Sequence, residues 1–353
     1  MQNLGFSDRI IHWYTAHKRD LPWRQTTDPY TVWLSEIILQ QTRVDQGMSY
    51  FLRILEAFPT VDKMAEASED QVLKLWQGLG YYSRARNMHA TAIFVHTQCN
   101  GNFPNRFADL LKLKGVGPYT AAAIASFCFQ EPVAVVDGNV ERVLARFFGI
   151  DEPIDDTAVK KKMQQLAQEM LSLRQPDIHN QAIMEFGALQ CTPRAPACGD
   201  CVLAESCVAY RAQRVGQLPF KARKTKVLDV YLDYIVLTDG KALAFRKRSD
   251  TGIWRNLHDF VSIEAMEPHT EEARLATLQK WGRHLLSSEP TIHLLSHRKM
   301  HIQFHWVLVK SKKIKEALIW QDFQEWDQLA VPKPVVSFLE GTDWSTLRSL
   351  AKT

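Results

Sequence analysis

Apolar residues recur at three- and four-residue spacing through most of the first 210 positions, as in Val32, Trp33, Ile37 and Leu39 and again in Ala121, Ala122, Ile124 and Ala125. That period predicts amphipathic helices. Breaks at Asp28-Pro29, Phe58-Pro59, Gly78 to Gly80, Phe103-Pro104, Gly115 to Pro118 and Asp137-Gly138 separate them, and Asp28 and Pro29 stand as N-cap and first helical residue. No strand run and no repeat of fixed period interrupts this part. Arg211 to Lys226 is basic and aperiodic, carries Gly216 and Pro219, and reads as a linker. Beyond it, Val227 to Leu237 alternates, Ala242 to Phe245 and Ile302 to Val309 also predict strands, and helical patches lie near Glu271 to Trp281 and Val335 to Leu339. The pattern predicts an all-α domain over residues 1–210, a linker over 211–226 and a smaller α/β domain over 227–353.

Composition agrees with folded cores: 46% of the 353 residues are hydrophobic and 23% charged, which argues against disorder. The longest weakly polar run, Ala121 to Phe129, is too short to cross a bilayer. The start, MQNLGFSDRIIHW, lacks a basic segment followed by an apolar one, so no secretion signal and a cytoplasmic location are expected. The net charge of +4 is uneven: residues 1–220 carry 22 Lys/Arg against 23 Asp/Glu, residues 221–353 carry 21 against 16. Neither balance demands a polyanionic partner, so any nucleic-acid binding by the helical part has to come from local geometry.

The six cysteines are Cys99, Cys128, Cys191, Cys198, Cys201 and Cys207, and the last four form C-x6-C-x2-C-x5-C. In a reducing compartment such a cluster reads as a metal site. Four thiolates suit tetrahedral zinc or a [4Fe–4S] cluster. Only Cys198 and Cys201 make the C-x2-C knuckle of a zinc ribbon, which tilts the spacing toward a cluster and leaves zinc open.

Six further strings carry candidate chemistry. In LKGVGPYTAAAIASF (Leu113 to Phe127), Gly115 and Gly117 flank a hydrophobic turn before a helix start, whose free N–H groups can hold a phosphate; this is helix-hairpin-helix character, although a plain Gly-Pro turn between helices has the same letters. Glu36, in DPYTVWLSEIILQQTRV, has Val32, Trp33, Leu39 and Gln40 as its helical neighbours. A carboxyl in that company has a raised pKa and can donate a proton near neutrality. Asp137, in AVVDGNVERVLARFF, precedes a helix, where a cap would hold its carboxylate ionised and rigid. One protonated and one ionised carboxyl are the generic means of breaking a glycosidic bond. Finally, LPWR, LQQTRV and GLGYYSRARN supply Arg24, Arg43, Arg84 and Arg86 for phosphates and Gln41 and Tyr81 as wedges for a duplex, with core packing the competing role for Trp23 and Tyr82.

Taken together, WLSEIILQQTRV, GLGYYSRARN, LKGVGPYTA, VDGNVERVLAR and the cysteine run resemble, in order across residues 20–210, the MutY family of adenine DNA glycosylases, within the helix-hairpin-helix glycosylases. RKRSDTGIWRNLHDF and SHRKMHIQFHW resemble, more loosely, that family's MutT-like (Nudix-like) C-terminal module. The resemblance implies removal of adenine mispaired with 8-oxoguanine or guanine in double-stranded DNA, by a monomer free of membrane and, in a bacterium, associated with the nucleoid. It implies that Glu36 protonates the leaving adenine and then activates water, that Asp137 stabilises the sugar cation, and that Tyr119 and Asn139 support that centre. Gln41 and Tyr81 match intercalating positions, Trp23, Arg24 and Gln181 the base pocket, and Cys191, Cys198, Cys201 and Cys207 the ligands of one [4Fe–4S] cluster. Tyr119 occupies the place of the lysine nucleophile of endonuclease III-type relatives; a phenol forms no Schiff base, so a monofunctional glycosylase is expected. The Mg²⁺-binding Glu-rich box of nucleotide-hydrolysing modules is missing from residues 227–353, so lesion recognition without hydrolysis is expected. The family's Phe-Ser-His lesion-reading loop is aligned with Lys299, Met300 and His301. A non-catalytic DNA-binding iron–sulfur protein, a nucleotide pyrophosphatase and a pyrimidine-lesion glycosylase/lyase are the competing classes.

Overall fold

The computed structural model describes residues 5–222, 227–249, 251–310 and 317–352. They fall into two units, one of Met1–Glu66 with Asn87–Arg223 and one of Ala67–Arg86 with Lys224–Thr353. The helices of the first part of the chain are α1 (Phe6–His17), α2 (Pro29–Leu39), α3 (Val44–Ala57), α4 (Val61–Glu66), α5 (Glu69–Trp76), α6 (Ser83–Gln98), α7 (Phe107–Leu110), α8 (Pro118–Phe129), α9 (Gly138–Phe148), α10 (Thr157–Met170), α11 (Pro176–Leu189) and α12 (Val208–Arg211).

In the first unit, local chemistry starts the helices where the sequence predicts. Asp28 caps α2 by accepting from the Thr31 amide at 2.8 Å, and Pro29 occupies a position whose N–H needs no partner. Helix α2 is apolar nearly all round and buries Val32, Trp33, Leu34, Ile37 and Ile38, which is the mark of a helix inside a core rather than on its surface. The alanines of α8 (Ala121, Ala122, Ala123, Ala125) are small enough to let it pack against α2. A second core joins Ile10 and Trp13 of α1 to Val143 and Leu144 of α9 and to Ile183 and Phe186 of α11.

The linker departs from expectation. Residues 211–222 are packed onto the helical unit: Leu218 is buried, its carbonyl accepts from Arg146 Nε at 3.0 Å, and the Phe220 carbonyl accepts from the Ile154 amide at 2.9 Å. An apolar residue with a buried arginine to satisfy its backbone overrides the basic, turn-rich composition. Residues 223–226 of the expected linker lie outside the described residues.

The second unit is built on β1 (Leu228–Thr238), β2 (Ala242–Lys247), β3 (His258–Asp259), β4 (Val261–Ala265), β5 (Arg283–Ser287), β6 (Thr291–Leu294), β7 (Arg298–Leu308) and β8 (Ile319–Asp322), with helices α13 (Glu271–Gln279), α14 (Lys333–Glu340) and α15 (Trp344–Lys352). The strand order is β3-β2-β1-β7-β5; β4 pairs with β1, β6 with β7 and β8 with β2. The two long central strands, β1 and β7, are parallel, with Tyr234 opposite Phe304. Phe304 stacks on Phe338 of α14 at 3.8 Å, which seats that helix on the sheet.

Two boundaries move. Residues 67–86 belong with the sheet rather than with the helical unit. The acidic start of α5 meets cations and amides there: Lys247 pairs with Asp70 at 2.9 Å, Asn256 Nδ2 donates to Glu69 at 2.7 Å, and the Gln77 side chain accepts from the Val331 amide at 3.2 Å. Strand β7 begins at Arg298, four residues before the predicted Ile302, because Met300, Ile302, Phe304 and Trp306 alternate into the core.

Candidate active site and cysteine loop

Glu36 lies on the buried helix α2, 6% exposed, in a cavity of about 790 Å³ that it shares with Tyr119, Asp137, Asn139, Gln181 and Glu185. Tyr119, in the first turn of α8, donates from Oη to Glu36 Oε2 at 2.6 Å. Burial pushes Glu36 up to about 7, the Tyr119 hydrogen bond opposes that rise, and the nearby Asp137 charge adds to it. Burial likewise drives the Tyr119 phenol well above its ordinary range, with the Glu36 and Asp137 charges adding to the rise, so it stays a donor.

Asp137 caps α9. Its Oδ1 accepts from the Asn139 and Val140 amides at 2.9 and 2.8 Å, and its Oδ2 from Asn139 Nδ2 at 2.7 Å. The cap predicted from sequence is present and orients the carboxylate, but its electrostatic consequence differs: burial raises the Asp137 pKa despite those hydrogen bonds and the Arg142 charge. The cap therefore offsets only part of a desolvation penalty. Helix α11 crosses closely here, since a Cβ on Gly187 would stand 2.7 Å from Asn139 Cβ and 2.9 Å from its carbonyl oxygen.

Trp23 is buried edge-on against Phe51 and lines the same cavity with Arg24. Gln181 accepts from Tyr14 Oη at 2.9 Å. Sequence reasoning missed Glu185, which receives Arg24 Nη2 at 2.8 Å and both Nε and Nη2 of Arg19 at 2.8 and 2.6 Å. These bonds hold its carboxyl at about 2 against a burial that raises it. The available signal was the one that picked out Glu36: a carboxylate whose helical neighbours are mostly apolar, here Ala182, Ala188 and Leu189 beside Gln181.

Gly115 has φ +77° and a Cβ there would meet Asn87 at 2.6 Å, so the hairpin turn requires glycine at that position. Gly117 is extended and its surroundings are open, leaving the α8 N-terminus accessible. Gln41 and Tyr81 both adopt left-handed backbone, φ 57° and 49°, a conformation that non-glycine residues hold mainly at special sites. Tyr81 is half exposed and hydrogen-bonds Ser296 within the second unit. Arg84 is turned inward: it stands 5.1 Å from the Trp76 ring and 5.5 Å from that of Tyr81, and burial lowers it to about 10. It braces the Tyr81 loop, which departs from a role at phosphates.

Lys299, Met300 and His301 do not form a loop. They are strand residues of β7; Met300 is fully buried, and His301 stacks on Tyr231 and contacts Asp229 at 2.7 Å. The turn between β6 and β7 is Leu295, Ser296 and His297, closed by the Leu295 amide on the Arg298 carbonyl at 2.8 Å. That turn carries a hydroxyl, Ser296, and an imidazole, His297. The strand register buries Met300 opposite Val230, so the expected loop is a strand at these positions.

The four cysteines of the run surround one cavity of about 30 Å³. Among the described residues no three His, Cys, Asp or Glu side chains stand ready for a single metal ion. Burial raises Cys198, Cys207 and Cys201, the last to about 11, with neighbouring thiolates adding to the rise in all three; four sulfur donors around one cavity fit a cationic centre, which would hold them as thiolates. Helix α9 holds the loop. Arg146 donates to Cys191 Sγ at 3.4 Å and to the Thr192 carbonyl at 2.7 Å, while Arg142 donates to the Cys191 carbonyl and to Asn139 Oδ1, both at 2.8 Å. A continuous set of hydrogen bonds therefore joins Cys191 to Asp137 through Arg142 and Asn139.

The site thus combines a helical hairpin, a buried carboxyl pair and a thiol loop braced by the helix that Asp137 caps. The model of the HhH-GPD superfamily of base excision DNA repair proteins matches residues 34–169, that of a NUDIX domain residues 234–341, and that of the iron-sulfur binding domain of endonuclease III residues 191–207. The chain belongs to the adenine DNA glycosylase family. It is 30% identical to the adenine DNA glycosylase of Buchnera aphidicola subsp. Schizaphis graminum, covering 95% of this chain and 98% of that one, and 32% identical to that of Mus musculus, covering 90% and 75%. Among solved structures, a thermostable thymine-DNA glycosylase matches with a TM-score of 0.55 at 27% identity, over 59% of this chain and 95% of that one. No described helix is long and apolar enough to cross a membrane.

Proposed function

We propose that the chain excises adenine mispaired with 8-oxoguanine or guanine in double-stranded DNA, as a monofunctional glycosylase. One observation carries this: a proton-bearing Glu36, held up to about 7 by burial, shares a cavity with the capped carboxylate of Asp137. An adenine turned out of the duplex would stand against Trp23, Arg24, Gln181 and Glu185. Glu36 gives its proton to a ring nitrogen of the leaving base, whose bond to the sugar then breaks. The electron-poor sugar develops positive charge beside Asp137, which Asn139 keeps in place. The resulting Glu36 carboxylate takes a proton from the water that adds to the sugar.

Cys191, Cys198, Cys201 and Cys207 would hold one [4Fe–4S] cluster, whose part is to rigidify residues 191–207 as a DNA-contacting loop. Gln41, Tyr81 and the hairpin Gly115–Gly117 contact the duplex. Reading of the opposite base falls to Ser296 and His297 rather than to His301. Nucleoid association and a monomeric state follow from the same resemblance.

The test is a duplex with adenine opposite 8-oxoguanine, incubated with the protein and then treated with alkali. Strand scission that needs both adenine and alkali supports the proposal, and Glu36→Gln should abolish it while sparing duplex binding. Scission without alkali, or none with the unaltered protein, would overturn it.

A further inference from the structure

Three cavities of the helical unit share walls. One of about 440 Å³ opens between Gln41 and the hairpin residues Gly117 and Pro118, and it shares Glu36, Leu39, Tyr119 and Asp137 with the catalytic cavity. On its other side, the catalytic cavity shares Arg19, Arg24, Thr26, Phe127 and Gln181 with a third chamber of about 660 Å³. The three therefore lie in series, separated by shared walls, from the hairpin face, past both carboxyls, to a rear chamber that reaches the exposed residues Lys18 and Thr27.

Long side chains stand at the wall before the rear chamber. Arg24 and Gln181 line both sides of it, and Tyr14 ties them together: its hydroxyl donates to Gln181 at 2.9 Å, and the Arg24 guanidinium stands 5.7 Å over its ring. Side chains change rotamer far faster than backbone elements move, so such a wall can act as a gate.

We propose that the rear chamber is the exit site for the excised free purine base, with Arg24, Gln181 and Tyr14 as its gate. This rests on the excision proposed above. Once the glycosidic bond is cut, the base lies in the catalytic cavity while the abasic strand still occupies the hairpin mouth. Leaving through the hairpin mouth requires the DNA to go first; leaving by the rear does not. The chamber suits a neutral planar ligand. Its cations Lys18, Arg19 and Arg24 are matched by Asp20 and Asp177 in the same lining and by Glu185, which pairs with both arginines. The hydroxyl of Thr26 supplies a hydrogen bond to the ring edge, and Phe127 an apolar wall.

The experiment follows one turnover of a duplex whose mispaired adenine is radiolabelled, with protein in excess. Alkali cleavage counts abasic sites; rapid ultrafiltration counts free adenine while retaining protein and DNA. Thr27→Trp and Lys18→Trp each plug the rear chamber from an exposed position, and their unaltered cleavage shows that they fold. Cleavage should stay within about twofold of the unaltered protein while free adenine appears about fivefold or more later, because release rather than chemistry is slowed. In the unaltered protein, adenine should reach the filtrate while the abasic strand is still bound. Wild-type release from both variants, or release of base only together with DNA, overturns the exit site. Absence of abasic sites with the unaltered protein overturns the excision itself instead.

Discussion

The hydroxyl of Tyr119 donates to Glu36 Oε2 at 2.6 Å, so a residue of the hairpin helix directly holds the carboxyl proposed as proton donor. The bond favours the ionised form of Glu36 and competes with the burial that favours the protonated one; burial wins, and the group lies at about 7.

Excision should therefore fall as pH rises through about 7, because the acid is lost above that value. Single-turnover rates across pH check this. Glu36→Gln should lower the rate by roughly 10² to 10⁴-fold, the usual worth of a general acid, with duplex affinity retained. A rate that is flat to pH 9 would remove Glu36 from this role.

The same burial makes Glu36 a stability cost at alkaline pH. Its folded pKa of about 7 exceeds the ordinary 4.5, so the folded chain holds the proton more tightly, and stability is lost as pH rises from 4.5 through 7. A shift of that size corresponds to roughly 3 kcal/mol above neutrality. Glu36→Gln carries no such penalty, so its Tm should exceed that of the unaltered protein at pH 8, with the difference vanishing near pH 4.5. Thermal unfolding at the two pH values measures it.

Tyr119→Phe removes the bond that holds Glu36 down. The falling limb of the pH–rate profile should move to higher pH, with the acid itself still present. Borohydride should trap no covalent adduct with an abasic product in either form, since neither a phenol nor a phenyl ring makes a Schiff base. Efficient trapping would show that another amine performs strand cleavage.

Arg142 connects the cysteine loop to the cap of α9, with bonds to the Cys191 carbonyl and to Asn139 Oδ1, both 2.8 Å. Arg142→Met leaves the four thiols intact but removes both bonds. Iron content should be unchanged while excision drops, because Asn139 no longer has a fixed position against Asp137. Cys201→Ser should lose iron and duplex affinity together. Iron assay beside single-turnover rates separates the two effects.

Ser296 and His297 stand at the β6–β7 turn, and Lys299 within strand β7. Ser296→Ala should lower the preference for adenine opposite 8-oxoguanine over adenine opposite guanine, whereas Lys299→Ala should leave the ratio unchanged. Turnover of the two duplexes gives the answer, and the opposite pattern would return lesion reading to the strand.

Much of this molecule is set by short-range rules. Asp28 with Pro29, Asp137 before Gly138, and Gly115 at a left-handed turn act within a few residues, so helix starts and the hairpin were legible in the letters. So was Glu36, because helical spacing alone surrounds it with apolar neighbours. Tertiary packing decided the rest. The pairing of Glu185 with Arg19 and Arg24 joins residues more than 160 positions apart. The allocation of residues 67–86 to the sheet unit depends on ion pairs and hydrogen bonds made only after folding, such as Lys247 with Asp70. The register of β7 is fixed by burial of Met300 opposite Val230, which a loose sequence alignment cannot weigh. Local propensity is written into neighbouring residues; burial, charge pairing and strand register arise between distant ones, and only the folded chain brings those together.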